Sequence, residues 1–274
     1  MPPALSIHGG RIHGGRIHGG PDAQGVPLYD FSTNANACGP CPEALAAVQQ
    51  ADATRYPDPA YTRLREALGA FHAVAPDCIV LAASASECIH RFTALAAWQG
   101  ARLVSVPRHG YGDYAQAAQA RGLAVVHDAA APAGLQWACE PASPLGGVDL
   151  QRARWALKSE APGTPGAASA HPPRVLDCAY APLRLDGTLW PERVPGVWQL
   201  WTPNKALGLT GVRAAYAIAP HAEAAHRLAA PRGRSWRGPT RAPAAPARPG
   251  EPGGPDARGP GPRQNRVPGP RHAN

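Results

Sequence analysis

Gly196-Val197-Trp198-Gln199-Leu200-Trp201-Thr202-Pro203-Asn204-Lys205 is the stretch on which the reading of this chain turns. An apolar run of strand length ends in a short polar turn that delivers a lysine, and Gly208, Gly211 and Arg213 follow closely. The 274 residues include only two lysines, Lys158 and Lys205, and positive charge otherwise comes from arginine. A guanidinium stays protonated and cannot serve as an amine nucleophile, whereas a lysine amine can. Lys158 falls at the polar end of a helical pattern, where solvation is its expected role. Chemistry is therefore expected at Lys205.

Working outward, short apolar runs occur at Cys78–Ala82, Arg102–Val106, Ala124–Val126, Leu135–Cys139, Val175–Asp177 and Gly196–Leu200. They alternate with helical patterns at Pro42–Gln50, Tyr61–His72, Ser86–Trp98, Tyr114–Arg121 and Leu150–Ser159. Such alternation predicts an α/β fold, a three-layer sandwich whose mostly parallel sheet is covered on both faces. A hydrophobic content of 44% is enough for a sizeable core. No apolar stretch reaches the roughly 18 residues of a membrane span, and the leader has no apolar core of signal-peptide length. A cytoplasmic protein with no membrane association is expected.

The net charge of +8 suggests nucleic acid until it is located. Residues 231–274 hold nine Arg against two acids, leaving 18 basic and 17 acidic residues elsewhere. That segment also holds eleven Pro and eight Gly, so it cannot bury enough apolar surface to offset its ordering entropy. A disordered tail is expected, and nucleic-acid binding is not. At the other end, residues 1–27 form a repetitive leader in which Ile-His-Gly-Gly starts at Ile7, Ile12 and Ile17. A five-residue period fits neither helix nor strand, and histidines separated by Gly pairs offer no preorganised metal geometry. A slipped duplication explains the repeat, and no metal site is expected. Residues 28–230 are left as the folded domain. The six cysteines read as reduced thiols. Cys38-Gly39-Pro40-Cys41 has the spacing of a redox dithiol but lacks the apolar strand that such a motif follows, so it is read as a turn into the helix at Pro42.

A lysine that forms a Schiff base must sit near a cofactor whose phosphate is clamped by hydroxyl, backbone and Arg donors, and Thr202 and Arg213 flank Lys205 at suitable spacings. This stretch resembles the Ser-x-x-Lys followed by Gly-x-Arg of the fold-type I aminotransferases, which use pyridoxal phosphate, with Thr202 in the serine's place. Further similarities follow in the family's order. Val175-Leu176-Asp177-Cys178-Ala179-Tyr180 resembles the strand whose Asp pairs with the pyridinium nitrogen and whose aromatic lies near the cofactor oxygen. Ser84-Ala85-Ser86-Glu87 follows a strand and opens a helix, so its amides and the helix dipole suit a phosphate. Tyr111 matches the aromatic that stacks on the ring. Tyr56, in Arg55-Tyr56-Pro57-Asp58-Pro59, resembles the Tyr that reaches the phosphate in a neighbouring subunit, which implies a homodimer with shared sites.

His-Gly-Gly in the leader, followed by Asp30-Phe31-Ser32-Thr33-Asn34-Ala35-Asn36, is similar to the opening of threonine-phosphate decarboxylases of cobalamin synthesis. Histidinol-phosphate aminotransferases are close relatives of that group. The resemblance implies decarboxylation of L-threonine O-3-phosphate to aminopropanol phosphate, or else transamination of a histidinol-phosphate-like amine, with a small phosphorylated amino compound as substrate. An inactive remnant that binds cofactor is the third reading. Under the resemblance His18 and Asn36 face substrate. Two departures stand out. Ser143, in Cys139-Glu140-Pro141-Ala142-Ser143-Pro144-Leu145-Gly146, occupies the place of an Asn that bonds the cofactor oxygen. Family-like sequence also stops soon after Ala219, so the C-terminal domain that carries the family's carboxylate-gripping Arg is expected to be missing.

Overall fold

The computed structural model describes residues 33–127, 131–143, 146–158, 172–187 and 192–230, together with two short strands and Gly25 of the leader. All of these fall within one compact unit, Met1–Pro231. The tail at 231–274 lies outside the described residues, as do Asp30, Phe31, Ser32, His8 and the side chain of His18.

The leader corrects one expectation. Arg11–His13 forms β1 and Arg16–His18 forms β2, paired antiparallel with Arg11 opposite His18 and His13 opposite Arg16. A five-residue period therefore does fit strands: three residues pair, and two glycines separate them, the composition that two-residue hairpin connections favour.

From residue 42 onward, strands and helices alternate. In chain order they are α1 (Pro42–Gln49), α2 (Thr62–His72), β3 (Ile79–Ala82), α3 (Ala85–Trp98), β4 (Leu103–Ser105), α4 (Gly112–Gln119), β5 (Ala124–Val126), β6 (Leu135–Cys139), α5 (Leu150–Lys158), β7 (Arg174–Asp177), β8 (Val197–Trp201), α6 (Pro203–Ala206), β9 (Ala215–Ile218) and α7 (Ala222–Ala229). Seven strands make one sheet in the order β3-β9-β8-β7-β6-β4-β5. Pairing is parallel from β8 through β5, while β9 is antiparallel to both β8 and β3. Sequence reading missed β9, α6 and α7.

Side chains alternate across the sheet, so each strand feeds two cores. Leu135, Trp137, Val175, Trp198 and Leu200 join α3 and α4 residues on one face, where the Phe92 ring meets Trp137 and Trp198 edge-on at 5.8 and 4.9 Å. Ala138, Leu176, Val197 and Trp201 pack with Trp155 of α5 and Leu68 of α2 on the other. All five residues of β8 are buried, as expected of a parallel strand with helices on both sides. Among the described residues no helix is long and apolar enough to cross a membrane.

Candidate active site

β8 ends at Trp201, and Thr202, still extended at φ −135°, caps a helix of only four residues with Pro203 at its start. Proline suits that position because its missing N–H would be unpaired there anyway. So short a helix is held from outside. The Asn36 backbone N–H donates to the Lys205 carbonyl (3.0 Å), the Asn36 side chain to the Ala206 carbonyl (3.0 Å), and the Cys41 N–H to the Leu207 carbonyl (2.8 Å). Asn36 Oδ1 accepts from the Cys38 N–H at 3.0 Å, which stiffens the donor segment itself. Residues 36–41 thus strap the Lys205 turn, and the Cys-Gly-Pro-Cys sequence is part of that strap, leading into α1 as expected. All six cysteines are free thiols. Gly208, at φ +63°, lets the turn approach Gly39 more closely than any side chain allows.

Lys205 faces a cavity of about 580 Å³. Cys139, Asp177 and Thr202 reach it from the ends of three adjacent strands, β6, β7 and β8. Ser84, Ala85 and Ser86 reach it after β3. Two antiparallel pairings in succession return β3 to the direction of β8, so the start of α3 lies at the same sheet edge as the Lys205 turn. The carboxyl edge of a parallel sheet is where α/β folds hold ligands.

Lys205 Nζ donates to Tyr180 Oη at 2.8 Å and lies 4.1 Å from the centre of that ring. Asp177 is fully enclosed. Its Oδ2 accepts from Tyr114 Oη at 2.6 Å and its Oδ1 from the Ala179 N–H at 3.0 Å. Burial pushes the Asp177 carboxyl above its ordinary range, opposed by the bonds from Tyr114 and Ala179 and by the charge of Lys205. A cationic ring nitrogen beside it would reverse that rise by favouring the carboxylate.

At the other end of the cavity, Ser84 caps α3 by accepting from the Glu87 N–H at 3.1 Å, while Ser86 Oγ donates to buried Asp113 at 2.5 Å. Both hydroxyls therefore serve the protein, and the anion-receiving role falls to the first-turn amides of a 14-residue helix and to its dipole. The Tyr111 hydroxyl lies 3.4 Å from Ser86 Oγ. Arg213 lines the same space, as does Thr202, whose hydroxyl is buried with no hydrogen-bond partner. An unpartnered buried hydroxyl is costly, and an anionic oxygen in the cavity would satisfy it. The donor set therefore fits pyridoxal phosphate: an amine for the aldehyde, a carboxylate for the ring nitrogen, a phenol for the ring oxygen, and amides, a hydroxyl and a guanidinium for the phosphate.

Ten of the residues singled out from sequence line this one cavity: Ser84, Ala85, Ser86, Tyr111, Ser143, Asp177, Tyr180, Thr202, Lys205 and Arg213. Three do not. Asn36 is not on the cavity wall; its side chain donates to the Ala206 carbonyl and accepts from the Cys38 N–H, bracing the Lys205 turn. Tyr56 is fully exposed, away from the cavity. His18 lies in β2, and its side chain is outside the described residues. Sequence reading missed Tyr114, Cys139, Asn204 and Thr210 on the cavity wall. Tyr114 sits one position past an acid in the same short motif as Tyr111, and three-residue helical spacing was the available signal. It also missed Glu140, 2% exposed, whose Oε1 accepts from Arg184 at 3.0 Å and Arg152 at 3.2 Å. Arg184 lines a second cavity of about 640 Å³ that shares Asn34, Ser143 and Tyr180 with the first.

An amine, a buried carboxylate and an anion-receiving helix end around one cavity are the donor set of a pyridoxal-phosphate site. Comparison with known proteins agrees: the model of the aminotransferase class I and II family matches residues 26–164. Over 231 residues the chain is 29% identical to a histidinol-phosphate aminotransferase from Rhodospirillum centenum, covering 74% of this chain and 61% of that protein. Among solved structures, a histidinol-phosphate aminotransferase from Sinorhizobium meliloti in complex with pyridoxal-5'-phosphate superposes with a TM-score of 0.54 at 22% identity, covering 71% of this chain and 56% of the other. An L-threonine-O-3-phosphate decarboxylase from Porphyromonas gingivalis gives 0.50 at 19% identity, with 68% and 56% covered. The chain belongs to the class I and II aminotransferase family, a group of pyridoxal-phosphate enzymes. It spans about three-fifths of the length of the curated relative named above.

Proposed function

We propose that the cavity at Lys205 binds pyridoxal phosphate and acts on a small phosphorylated amino compound, with decarboxylation of L-threonine O-3-phosphate to aminopropanol phosphate as the reaction. The observation that carries the chemistry is the placement of Lys205, Tyr180 and Asp177 around one cavity. When bound, the cofactor supplies an electron sink for the bond broken at the substrate's α-carbon. Lys205 would hold the cofactor's aldehyde end, and its Nζ, oriented by Tyr180 Oη, would carry the proton exchanged with substrate. Tyr180 would serve the ring oxygen, Asp177 would keep the ring nitrogen protonated, and Thr202, Arg213 and the α3 amides would hold the phosphate. Ser143, shorter than the family's Asn, leaves more of the ring-oxygen contact to Tyr180.

His-Gly-Gly followed by the Asn34-Ala35-Asn36 segment supports the decarboxylase reading. Transamination of histidinol phosphate is the second reading, favoured by the names of the sequence relatives. The same residues serve both; the outcome depends on which bond at the α-carbon is aligned with the ring. Full exposure of Tyr56 supports a homodimer in which this side chain reaches the partner's cofactor phosphate. The test is product analysis: each phosphorylated amine is supplied with cofactor and a 2-oxo acid. Carbon dioxide and aminopropanol phosphate support the first reading, and amino transfer to the oxo acid replaces it with the second.

A further inference from the structure

Asp177 closes β7, and every element packed against it presents a defined group. Cys88 comes from α3, Tyr114 from α4, Cys139 from the end of β6, Cys178 from the position just after β7, and Lys205 from the turn after β8. Of these, Tyr114 makes the shortest contact, 2.6 Å from its hydroxyl to Oδ2. That phenol is buried among aromatic rings. Its ring stacks on Trp137 at 4.6 Å and 13° and meets Tyr111 edge-on at 5.9 Å, while Trp137 is in turn braced by Phe92. Burial, first, and the nearby Asp177 carboxyl push the Tyr114 hydroxyl well above the ordinary phenol range, and it donates to the Asp177 carboxylate.

We propose that Tyr114 is a positioning residue that fixes the Asp177 carboxylate toward the cavity and sets how strongly it holds the proton on the cofactor's ring nitrogen. The inference rests on the assignment of Asp177 above. A carboxylate offers about four acceptor sites. Tyr114 and the Ala179 N–H take one on each oxygen and prevent rotation, leaving the remaining lone pairs to the cavity. Donation also withdraws charge from Oδ2. Without it the carboxylate is more basic, draws the shared proton toward itself and weakens the cation on the ring. A purely structural tyrosine would act through packing with Trp137 alone, and deleting its hydroxyl would leave the cofactor's protonation unmoved.

The experiment compares the full chain with Tyr114→Phe, Asp177→Asn and a fluorinated tyrosine incorporated at position 114, which has a more acidic, stronger-donating hydroxyl. Pyridoxal phosphate affinity, the pH midpoint of the bound cofactor's absorbance and thermal unfolding are measured for each. Tyr114→Phe is expected to bind cofactor roughly ten-fold more weakly, the scale of one hydrogen bond to a charged group. Its midpoint should move in the same direction as that of Asp177→Asn, by less, and the fluorinated residue should move it the opposite way. Should Tyr114→Phe fail to fold, the fluorinated protein, which keeps ring and hydroxyl, decides the question. Midpoints at the wild-type value for both Tyr114 variants, while Asp177→Asn shifts, overturn the positioning role. A midpoint unmoved even by Asp177→Asn removes Asp177 from the cofactor and this proposal with it.

Discussion

Replacing Gly208 with alanine tests whether residues 36–41 hold the Lys205 turn. A Cβ at position 208 would stand 2.3 Å from the Gly39 carbonyl oxygen, 2.7 Å from its carbon and 3.0 Å from the Pro40 nitrogen, all backbone atoms. No side chain can rotate to relieve this, so the strap must retreat by about 1 Å to reach ordinary contact, against three hydrogen bonds that pin it to the Lys205, Ala206 and Leu207 carbonyls. The left-handed backbone at φ +63° adds about 1–2 kcal/mol for a residue with a Cβ. Forced expansion of a packed contact adds roughly 1–3 kcal/mol. Two controls separate these costs. Gly196 has φ +75° with open space, so Gly196→Ala should cost about 1–2 kcal/mol; Gly211 has neither feature and should cost about nothing. In thermal unfolding, at about 2–4 °C per kcal/mol for a domain of this size, Gly208→Ala should fall roughly 5–15 °C and the controls much less. Pyridoxal phosphate capture should fall with it, because the displaced atoms carry Lys205. A Gly208→Ala protein no less stable than Gly196→Ala would refute the strap.

Lys205→Ala should abolish the absorbance of lysine-linked cofactor with little change in thermal stability, whereas Lys158→Ala should leave the spectrum intact; equal loss in both would remove Lys205 from its role. Glu140→Gln leaves the Arg152 and Arg184 guanidinium groups facing a neutral amide in a buried setting, and unfolding in denaturant should show a loss on the order of 3 kcal/mol. Burial and Arg193 depress the pKa of His72, which lies 2.8 Å from the Tyr216 hydroxyl. A depressed histidine adds stability that is present above its unfolded pKa of about 6.5 and lost as pH falls below it. His72→Gln should therefore flatten the decline in unfolding temperature between about pH 7 and 5, and an unchanged slope would exclude His72 as its source.

The architecture was legible where one residue pattern had one explanation. Val197–Trp201 could only be a strand buried on both faces, and α3 announces itself through Cys88, Ile89, Phe92 and Ala96 at helical spacing behind a Ser84 cap. β9 was hidden because Ala215-Tyr216-Ala217-Ile218 places alanine, a weak strand former, at alternate positions, and its stability comes from two flanking strands rather than from itself. α7 was hidden by its start and length: it runs eight residues and is opened by a histidine rather than by one of the usual Ser, Thr, Asp or Asn caps. At the site, residues whose chemistry is named by their own side chain were found on the cavity wall: one of the two lysines, an aspartate closing a strand, serines opening a helix. Those that act through a partner were not. Nothing in the sequence near Tyr114 shows that an aspartate 63 residues away will accept from it, nor near Asn36 that a turn 170 residues on needs three donors.

The hidden strand is also what unites the site. β3 and the α3 amides come from one end of the folded segment, and Thr202, Lys205 and Arg213 from the other. Had β3 paired directly with β8 as an antiparallel neighbour, the start of α3 would lie at the opposite sheet edge, about four residues or roughly 13 Å from the Lys205 turn. Insertion of β9, antiparallel to both, reverses direction twice and brings the two ends together. The span from Lys205 through Gly208 and Arg213 into β9 therefore has two functions: it carries the amine and the cavity-lining Arg213, and it continues into the strand that sets the direction of β3 and so the place where α3 begins. Residues 36–41 close the arrangement from behind, bonding the turn at the point where β8 stops holding it. The placement of these side chains is thus set by strand order, by a glycine that only backbone can approach, and by one asparagine.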